Sequence, residues 1–132
     1  MPAIHSIDDK AKLLVTVWEG EATDENFEAA LKKYIEDFRS NTDYYAYNEL
    51  VDLTKANPIK ISIKGLLSMG RIATQSNADE SQKRMALVVE SDFAYSLANM
   101  YIFYRNAGKR NRKKIAVFTD QLKAYKWVKV ST

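Results

Sequence analysis

The sequence predicts an α/β domain in which helices pack on a mixed β-sheet. The first observation is a strand–helix–strand unit between Arg84 and Asp120, where two short apolar runs flank a long helical segment. Both runs carry apolar side chains at odd and even positions, which is typical of interior parallel strands covered on both faces. The second observation is an N-terminal hairpin followed by repeated strand–helix steps. Crossovers between parallel strands are almost always right-handed, so the unit also predicts handedness.

Composition excludes several kinds of site. The 132 residues are enough for a single domain over residues 1–132 with a substantial core. The chain has no cysteine, which excludes disulfides, thiolate metal sites and cysteine nucleophiles. Its one histidine, His5, cannot build an imidazole zinc site and is expected at the surface or rim of an edge strand. With no signal-peptide core and no bilayer-length apolar run, we expect a cytoplasmic protein without metal or cofactor.

The N-terminal third predicts a hairpin and an amphipathic helix. Ala3–Ile7 and Lys12–Trp18 are strand candidates joined by a tight connection, and Gly20 is expected to end the second. Thr23 is a good N-cap for the helix that follows, and Asn41 is a reasonable stop. The apolar positions of this helix recur at three- and four-residue spacing and are Phe27, Ala30, Leu31, Tyr34, Ile35 and Phe38.

The middle of the chain predicts a strand, a turn and a second helix. Tyr47–Leu53 is the strand and Thr54–Pro58 the turn. A helix is predicted over Ser62–Ser76, capped by its first serine. Gly65 and Gly70 each cost about 1 kcal/mol inside a helix relative to alanine. They indicate either close packing against a neighbour or a segment that can move, and the weak restraint of the flanking loops favours movement.

The helix of the strand–helix–strand unit has more apolar surface than one face can bury. It is predicted over Ser91–Ala107, followed by a strand over Lys114–Thr119 and a last helix that Asp120 caps and that ends near Lys129. One apolar stripe contains Phe93, Leu97, Met100, Tyr101 and Tyr104, but Tyr95, Ala98, Ile102 and Phe103 lie outside it. The helix is therefore expected to contact something besides its own sheet: another helix, a second copy of the chain, a hydrophobic ligand or a membrane surface.

Several short segments, in this order of elements, carry a family resemblance. They are Trp18–Thr23, Leu50–Thr54, Arg84–Val89, Ala98–Tyr101, Val117–Asp120 and Lys123–Val128. With them, nearly the whole chain resembles the SpoIIAA-like family, which is related to STAS domains and more loosely to the lipid-binding CRAL-TRIO (Sec14) domains. The resemblance implies a right-handed superhelix of strand–helix turns. It also implies a mixed sheet of about five strands with an N-terminal antiparallel hairpin, and about four helices.

The resemblance also bears on partners. STAS domains proper bind a regulatory partner under control of a phosphorylated serine in an Asp-Ser-Ser-Gly-Leu segment. The matching stretch here is Ser62–Leu66, in which Ile63 and Lys64 replace the serines, so this switch is not expected. The likeness to lipid carriers implies an apolar ligand or contact with a membrane.

Three groups of residues are candidate sites. An apolar ligand groove is expected between the second and third helices, lined by Leu66, Met69, Tyr95, Ile102 and Phe103. A basic segment is expected to contact an acidic headgroup or an anionic membrane and comprises Lys109, Arg110, Arg112, Lys113 and Lys114. A polar cluster is expected beyond the carboxyl ends of the strands and comprises Asp52, Thr54, Ser91 and Asp120.

The strand-end carboxylates could bind magnesium or act as acid and base, but Ser91 and Asp120 are also the expected helix caps. No catalytic residue is assigned, because the sequence has no Gly-rich phosphate loop, no serine elbow and no histidine to serve as a base. Nucleic-acid binding is not expected either, because Tyr101 and Tyr104 fall at core spacing. The sequence thus predicts a non-catalytic binding domain for a small lipophilic or acidic-headgroup ligand, or for an anionic membrane surface at which it is peripheral. The alternative is a STAS-like interaction module acting as a homodimer.

Overall fold

The computed structural model describes residues 3–39, 44, 46–76, 83–107 and 114–129. The elements in chain order are β1 (Ala3–Asp8), β2 (Leu13–Thr23), α1 (Asp24–Arg39), β3 (Asn48–Lys60), α2 (Ile63–Ser76), β4 (Arg84–Val88), α3 (Asp92–Ala107), β5 (Lys114–Phe118) and α4 (Gln121–Lys129). The predicted α/β class and the order of elements are confirmed. Asn41, the predicted end of the first helix, lies outside the described residues.

The five strands form one mixed sheet in the order β1-β2-β3-β4-β5. β1 pairs antiparallel with β2, and every later pair is parallel. Helices α1, α2 and α3 pack in sequence as one layer, whereas α4 packs against β3 and β4 on the opposite face. Among the described residues, three helices therefore cover one face of the sheet and one short helix covers the other.

Each face has its own apolar core. Beneath α4 the buried residues are Leu13, Leu50, Ala86, Val88, Ala124 and Val128. Beneath the three-helix layer they are Met85, Leu87, Val89, Ala94 and Ala98. The division follows from the alternation of strand side chains, which sends neighbouring residues of β4 to opposite faces. The near-continuous apolar pattern therefore predicted correctly that β4 is an interior strand. The same prediction for β5 is wrong, because β5 lies at the edge of the described sheet and pairs there with β4 alone.

The four predicted helix caps are confirmed. The caps of α1, α2, α3 and α4 are, in this order, Thr23, Ser62, Ser91 and Asp120. The side-chain oxygen of each cap accepts a hydrogen bond from a backbone N–H group in the first turn of its helix. These bonds satisfy donors that have no partner inside a helix.

The predicted ends of β2 and β3 are wrong. β2 continues past Gly20, and β3 continues through the predicted turn to Lys60, because the two extensions pair with each other. Gly20 has a φ of +97°, a conformation that suits glycine, and lies where the register shifts. β3 pairs with β4 only as far as Asp52, so within the described residues the extension has one strand neighbour. Pro58 fits such an edge, since it lacks the N–H that a second neighbour would need.

Close packing, one of the two predicted explanations for the glycines of α2, accounts for Gly65. The Asp24 carboxylate of α1 accepts hydrogen bonds from the backbone N–H of Ser62 at 2.9 Å and from its hydroxyl at 2.6 Å. A Cβ on Gly65 would overlap that carboxylate. The start of α2 is thereby held against the start of α1. Gly70 is different, because a Cβ there would meet only ordinary contacts from α3.

The buried face of α3 also differs from the predicted stripe. Ala94, Ala98 and Arg105 are its buried residues, whereas Phe93 is exposed. Small side chains let the helix approach the sheet closely, while Phe93, Tyr95 and Phe103 lie on its outer side. Tyr95 is 41% exposed and Phe103 is 70% exposed. The helix does have more apolar surface than its own sheet covers.

Candidate functional site

An apolar cavity of about 240 Å³ lies between the sheet and helices α1, α2 and α3. Its floor is the helix-covered face of three strands, where every second side chain of each strand points toward the helices. The floor residues include Leu14, Thr16 and Trp18 of β2, Val51 and Leu53 of β3, and Met85 and Leu87 of β4. The floor is therefore continuous with the core under the helices.

The walls come from the three helices. The apolar stripe predicted for α1 forms one wall along its whole length. Facing it are Leu66, Met69 and Ala73 of α2 and Ala94, Leu97, Ala98 and Tyr101 of α3. Alanines recur in this lining, and their short side chains leave a volume that larger residues would fill.

The cavity is large enough for a small molecule. An apolar cavity of about 150 Å³ can hold benzene, and ligand pockets commonly begin at about 300 Å³. A volume of about 240 Å³ lies between these values and suits a compact or short-chain apolar compound.

Charged side chains gather at one end of the cavity. Lys83 Nζ lies 3.2 Å from Glu49 Oε1, and both side chains are almost inaccessible to solvent. Arg105 is 2% exposed, and its Nη1 donates to the Tyr101 hydroxyl at 2.9 Å. All three charged residues line the cavity.

Topology places these charges together. Glu49 is at the start of β3, and Lys83 immediately precedes the parallel strand β4. Arg105 lies in the last turn of α3, and the chain then returns to β5, whose Lys114 N–H donates to the Lys83 carbonyl at 2.8 Å. The charged end is therefore at the amino ends of the parallel strands, opposite to the edge predicted for a site.

A row of aromatic rings closes the side of the cavity near β1. His5 stacks on Tyr34 with 5.2 Å between ring centroids, and Tyr34 contacts Phe38 at 5.0 Å. The row continues from Phe38 to Tyr44 at 5.7 Å and on to Tyr47 at 5.3 Å. Edge-on and tilted contacts of this kind stabilise aromatic clusters beyond the area that they bury.

Two members of the row have perturbed ionisation. Burial, reinforced by the Glu49 charge, raises the pKa of Tyr34 well above 10, so its phenol is a neutral donor. Burial lowers the pKa of His5 below 6.5, an effect that nearby Asp37 opposes and Lys33 reinforces. His5 is half-buried, and its Nδ1 lies 2.7 Å from the Thr16 hydroxyl.

The structure separates the predicted groove residues. Leu66 and Met69 line the cavity from α2, as the predicted groove requires. Tyr95, Ile102 and Phe103 are not among the lining residues, and the two aromatic residues of this trio are exposed. The cavity lies beneath α3 rather than along its outer side, because alanines occupy the inner face of the helix.

Of the predicted basic segment, the structure describes only its last residue. Lys114 is exposed at the start of β5, at the same end of the sheet as Lys83. Lys109, Arg110, Arg112 and Lys113 lie outside the described residues.

The predicted strand-end cluster is used for internal hydrogen bonds. Asp52 Oδ1 accepts from the backbone N–H and hydroxyl of Thr54 at 2.9 and 2.7 Å, and Gln121 Nε2 donates to Asp52 Oδ2 at 2.7 Å. Ser91 and Asp120 cap α3 and α4. Asp52 and Gln121 meet on the α4 side of the sheet, so this group is separate from the cavity.

The residues that sequence reasoning missed are those of the charged end. Glu49 lies on the same face of β3 as Val51 and Leu53, and Arg105 follows Tyr101 by one helical turn on the buried side of α3. A charged residue at an apolar position of a periodic pattern is the signal that would have identified each of them.

In the described part of the chain, no helix has the length and apolar character needed to cross a bilayer.

No protein-family model matches the chain, and no curated protein matches it.

One similar solved structure is that of an uncharacterised protein of the DUF3478 family from Shewanella loihica PV-4, described as having a SpoIIAA-like fold. The two chains share 13% sequence identity and superpose with a TM-score of 0.62, over 96% of this chain and 91% of that chain. At this identity the similarity concerns the fold alone.

Proposed function

Because the chain has a SpoIIAA-like fold with an apolar cavity beneath its three-helix layer, we propose that it is a non-catalytic binding protein for a small apolar molecule. The observation that carries the proposal is the cavity itself, which lies between the sheet and three helices and is lined mainly by apolar side chains. Transfer of each CH₂ group from water into such a site is favourable by about 0.8 kcal/mol.

The polar residues of the lining support a binding role over a catalytic one. Glu49 pairs with Lys83, Arg105 bonds Tyr101, and His5 bonds Thr16 across the β1–β2 ladder. Each contact orients its partners within the wall.

The test is a titration with decanol, followed by calorimetry and native mass spectrometry. Ala30→Phe fills the cavity from α1 and should weaken decanol binding by at least roughly tenfold. Ala29→Phe is the matched control, because Ala29 is exposed on the same helix and is absent from the lining. It should leave the affinity unchanged.

Two outcomes contradict the proposal. The first is that neither decanol nor an aromatic probe such as hexylbenzene binds the wild-type protein. The second is that Ala30→Phe binds decanol with the same affinity as the wild-type protein and Ala29→Phe, since decanol would then occupy some other surface.

A second candidate function is self-association through the outer side of the helix layer. Phe93, Tyr95 and Phe103 of α3 and Ile63 and Leu67 of α2 are exposed apolar side chains, and such residues are typical of interaction surfaces when they are contiguous. Light scattering at micromolar concentration tests this function, with Phe103→Asp expected to dissociate a dimer. A wild-type monomer in that experiment would exclude it.

A further inference from the structure

We propose that two copies of the chain associate by pairing their β5 strands in antiparallel orientation about Ala116, which joins two five-stranded sheets into one. This interface differs from the outer side of the helix layer, and it requires no ligand in the cavity. It goes beyond the proposed function, so that either can fail without the other.

β5 is an apolar strand at one edge of the described sheet. Among the described strands it pairs with β4 alone, and its four apolar residues, Ile115–Phe118, are only partly buried, whereas four of the five residues of β4 are buried. Edge strands usually carry charged residues or proline, which discourage pairing with another chain. Ile115–Phe118 has neither, while the opposite edge strand, β1, contains His5, Ser6 and Asp8. β5 is therefore the edge better suited to a further strand.

The hydrogen bonds between β5 and β4 determine which backbone groups of β5 face outward. The Lys114 N–H donates at 2.8 Å to the carbonyl of the residue before β4, and the Phe118 carbonyl accepts at 2.9 Å from the N–H of the residue after β4. The N–H and C=O groups of one strand residue point the same way, and successive residues alternate. Lys114, Ala116 and Phe118 therefore face β4. The N–H and C=O groups of Ile115 and Val117 face outward.

An antiparallel pairing centred on Ala116 uses all of these outward groups. Ile115 of one copy then lies opposite Val117 of the other, and each of the two residues both donates and accepts a backbone hydrogen bond. The two-fold axis repeats this pair of bonds on the other side of Ala116. Lys114, the only charged residue of β5, lies opposite Phe118, so no like charges face each other. The edge is therefore complementary to a second copy of itself.

The side of α3 that faces away from α2 is apolar as well. Tyr104 lies where α2 packs on α3, close to Gly70. With about 3.6 residues per turn, Tyr95 and Ile102 lie nearly opposite Tyr104 around the helix axis. Tyr95 is exposed and Ile102 is partly exposed, on the side of α3 toward the β5 edge. A second copy that continues the sheet would place its own α3 beside these side chains and cover them.

Analytical ultracentrifugation between about 1 and about 100 μM tests the association, and the wild-type protein should be a dimer at the upper end of this range. Ala116→Lys places two ammonium groups opposite each other on the two-fold axis and should weaken the dimer at least roughly tenfold. Ser6→Lys is the matched control, because it introduces the same charge at an exposed position of the other edge strand. Ser6→Lys should leave the association unchanged, and so should Phe103→Asp on the outer side of α3.

Site-resolved amide hydrogen exchange of the wild-type protein identifies the interface without a variant. The Ile115 and Val117 amides should exchange at least roughly tenfold more slowly in the dimer than after dilution to the monomer. The Lys114 amide is the internal reference, because it donates within the chain and should exchange at the same rate in both states.

Three outcomes overturn the proposed interface. The first is a wild-type protein that remains a monomer at about 100 μM, a result that leaves ligand binding in the cavity untouched. The second is a dimer in which the Ile115 and Val117 amides gain no protection, since the two copies then associate through another surface. The third is a dimer that Phe103→Asp dissociates and Ala116→Lys does not, which assigns the contact to the outer side of the helix layer. The exchange measurement decides the matter even if Ala116→Lys does not fold.

Discussion

The His5 side chain of β1 packs against α1, where it links a hydrogen bond in the sheet to a row of aromatic rings. Its ring contacts Tyr34 and Phe38, and its Nδ1 meets the Thr16 hydroxyl. Burial at this position favours the neutral imidazole and lowers the pKa of His5, and this effect outweighs the opposing charge of Asp37. Protonation of the His5 imidazole therefore lowers the free energy of unfolding.

The sign of the resulting pH dependence follows from linkage. Below pH 6.5 the unfolded chain binds a proton at His5 more readily than the folded chain does, so folding stability falls as the pH drops through this range. His5→Gln removes the proton site and should make the free energy of unfolding less sensitive to pH between about 7.5 and about 5. Urea unfolding of both proteins at the two pH values checks this. A wild-type pH dependence no steeper than that of the variant would contradict it.

Gly65 and Gly70 give a matched pair of substitutions within one helix. Gly65→Ala should destabilise the protein by about 1–2 kcal/mol, because the added Cβ displaces Asp24 from Ser62 and this loss exceeds the helix-propensity gain. Gly70→Ala should stabilise it by about 0.5–1 kcal/mol, since its Cβ has room. Chemical denaturation measures both changes.

A double-mutant cycle identifies the cause of the Gly65 effect. In an Asp24→Ala background, Gly65→Ala should be neutral or stabilising, because the overlapping carboxylate is gone. An undiminished penalty there would show that something other than Asp24 excludes the side chain.

At the scale of elements, α4 forms the entire described helical cover of one sheet face, and its start depends on Asp120. The Asp120 carboxylate accepts from the N–H groups of Leu122 and Lys123 at 2.9 and 3.2 Å. Asp120→Ala should cost about 1 kcal/mol of folding stability, and Asp120→Ser should recover most of it. Because α4 is on the face opposite the cavity, decanol affinity should be unaffected in either variant. Thermal unfolding and calorimetry on the same samples measure both properties.

The ends of an element were predictable where residues close in sequence determine them. They were not predictable where they depend on pairing or packing with a segment distant in sequence. Caps and apolar periodicity are encoded within a few residues, so α1 and α4 were predicted with their N-termini correct. The ends of β2 and β3 depend on pairing between Gly20 and Ala56, which are far apart in sequence. The side of α3 that faces the sheet depends on how closely the helix approaches it, and that distance is not a property of α3 alone.

At the scale of the whole molecule, the cavity is a collective property of seven elements, β1 to β4 and α1 to α3. The apolar residues of each wall have the same sequence pattern as residues of a filled core. The empty volume arises only when alanines from several elements face one another. Sequence reasoning therefore identified Leu66 and Met69 as lining residues but assigned the rest of the groove to the outer side of α3.

Ligand binding should stabilise the fold as a whole. At a free concentration about one hundred times its dissociation constant, decanol should raise the free energy of unfolding by about 2.7 kcal/mol. The midpoint of thermal unfolding should rise by several degrees, and Ala30→Phe should largely remove this rise. Differential scanning calorimetry with and without decanol measures it. A midpoint that is insensitive to decanol in the wild-type protein contradicts binding to the native state.

The strand order has a consequence for how the chain reaches this structure. Each strand is hydrogen-bonded to its neighbours along the chain, so no pairing must wait for a distant segment to be threaded between two strands already joined. Assembly can proceed by adding one strand and its helix at a time, and each parallel addition closes a connection that contains one helix. Such a pathway keeps every strand pairing between neighbours in the chain, which limits the loop-closure entropy of a largely parallel sheet.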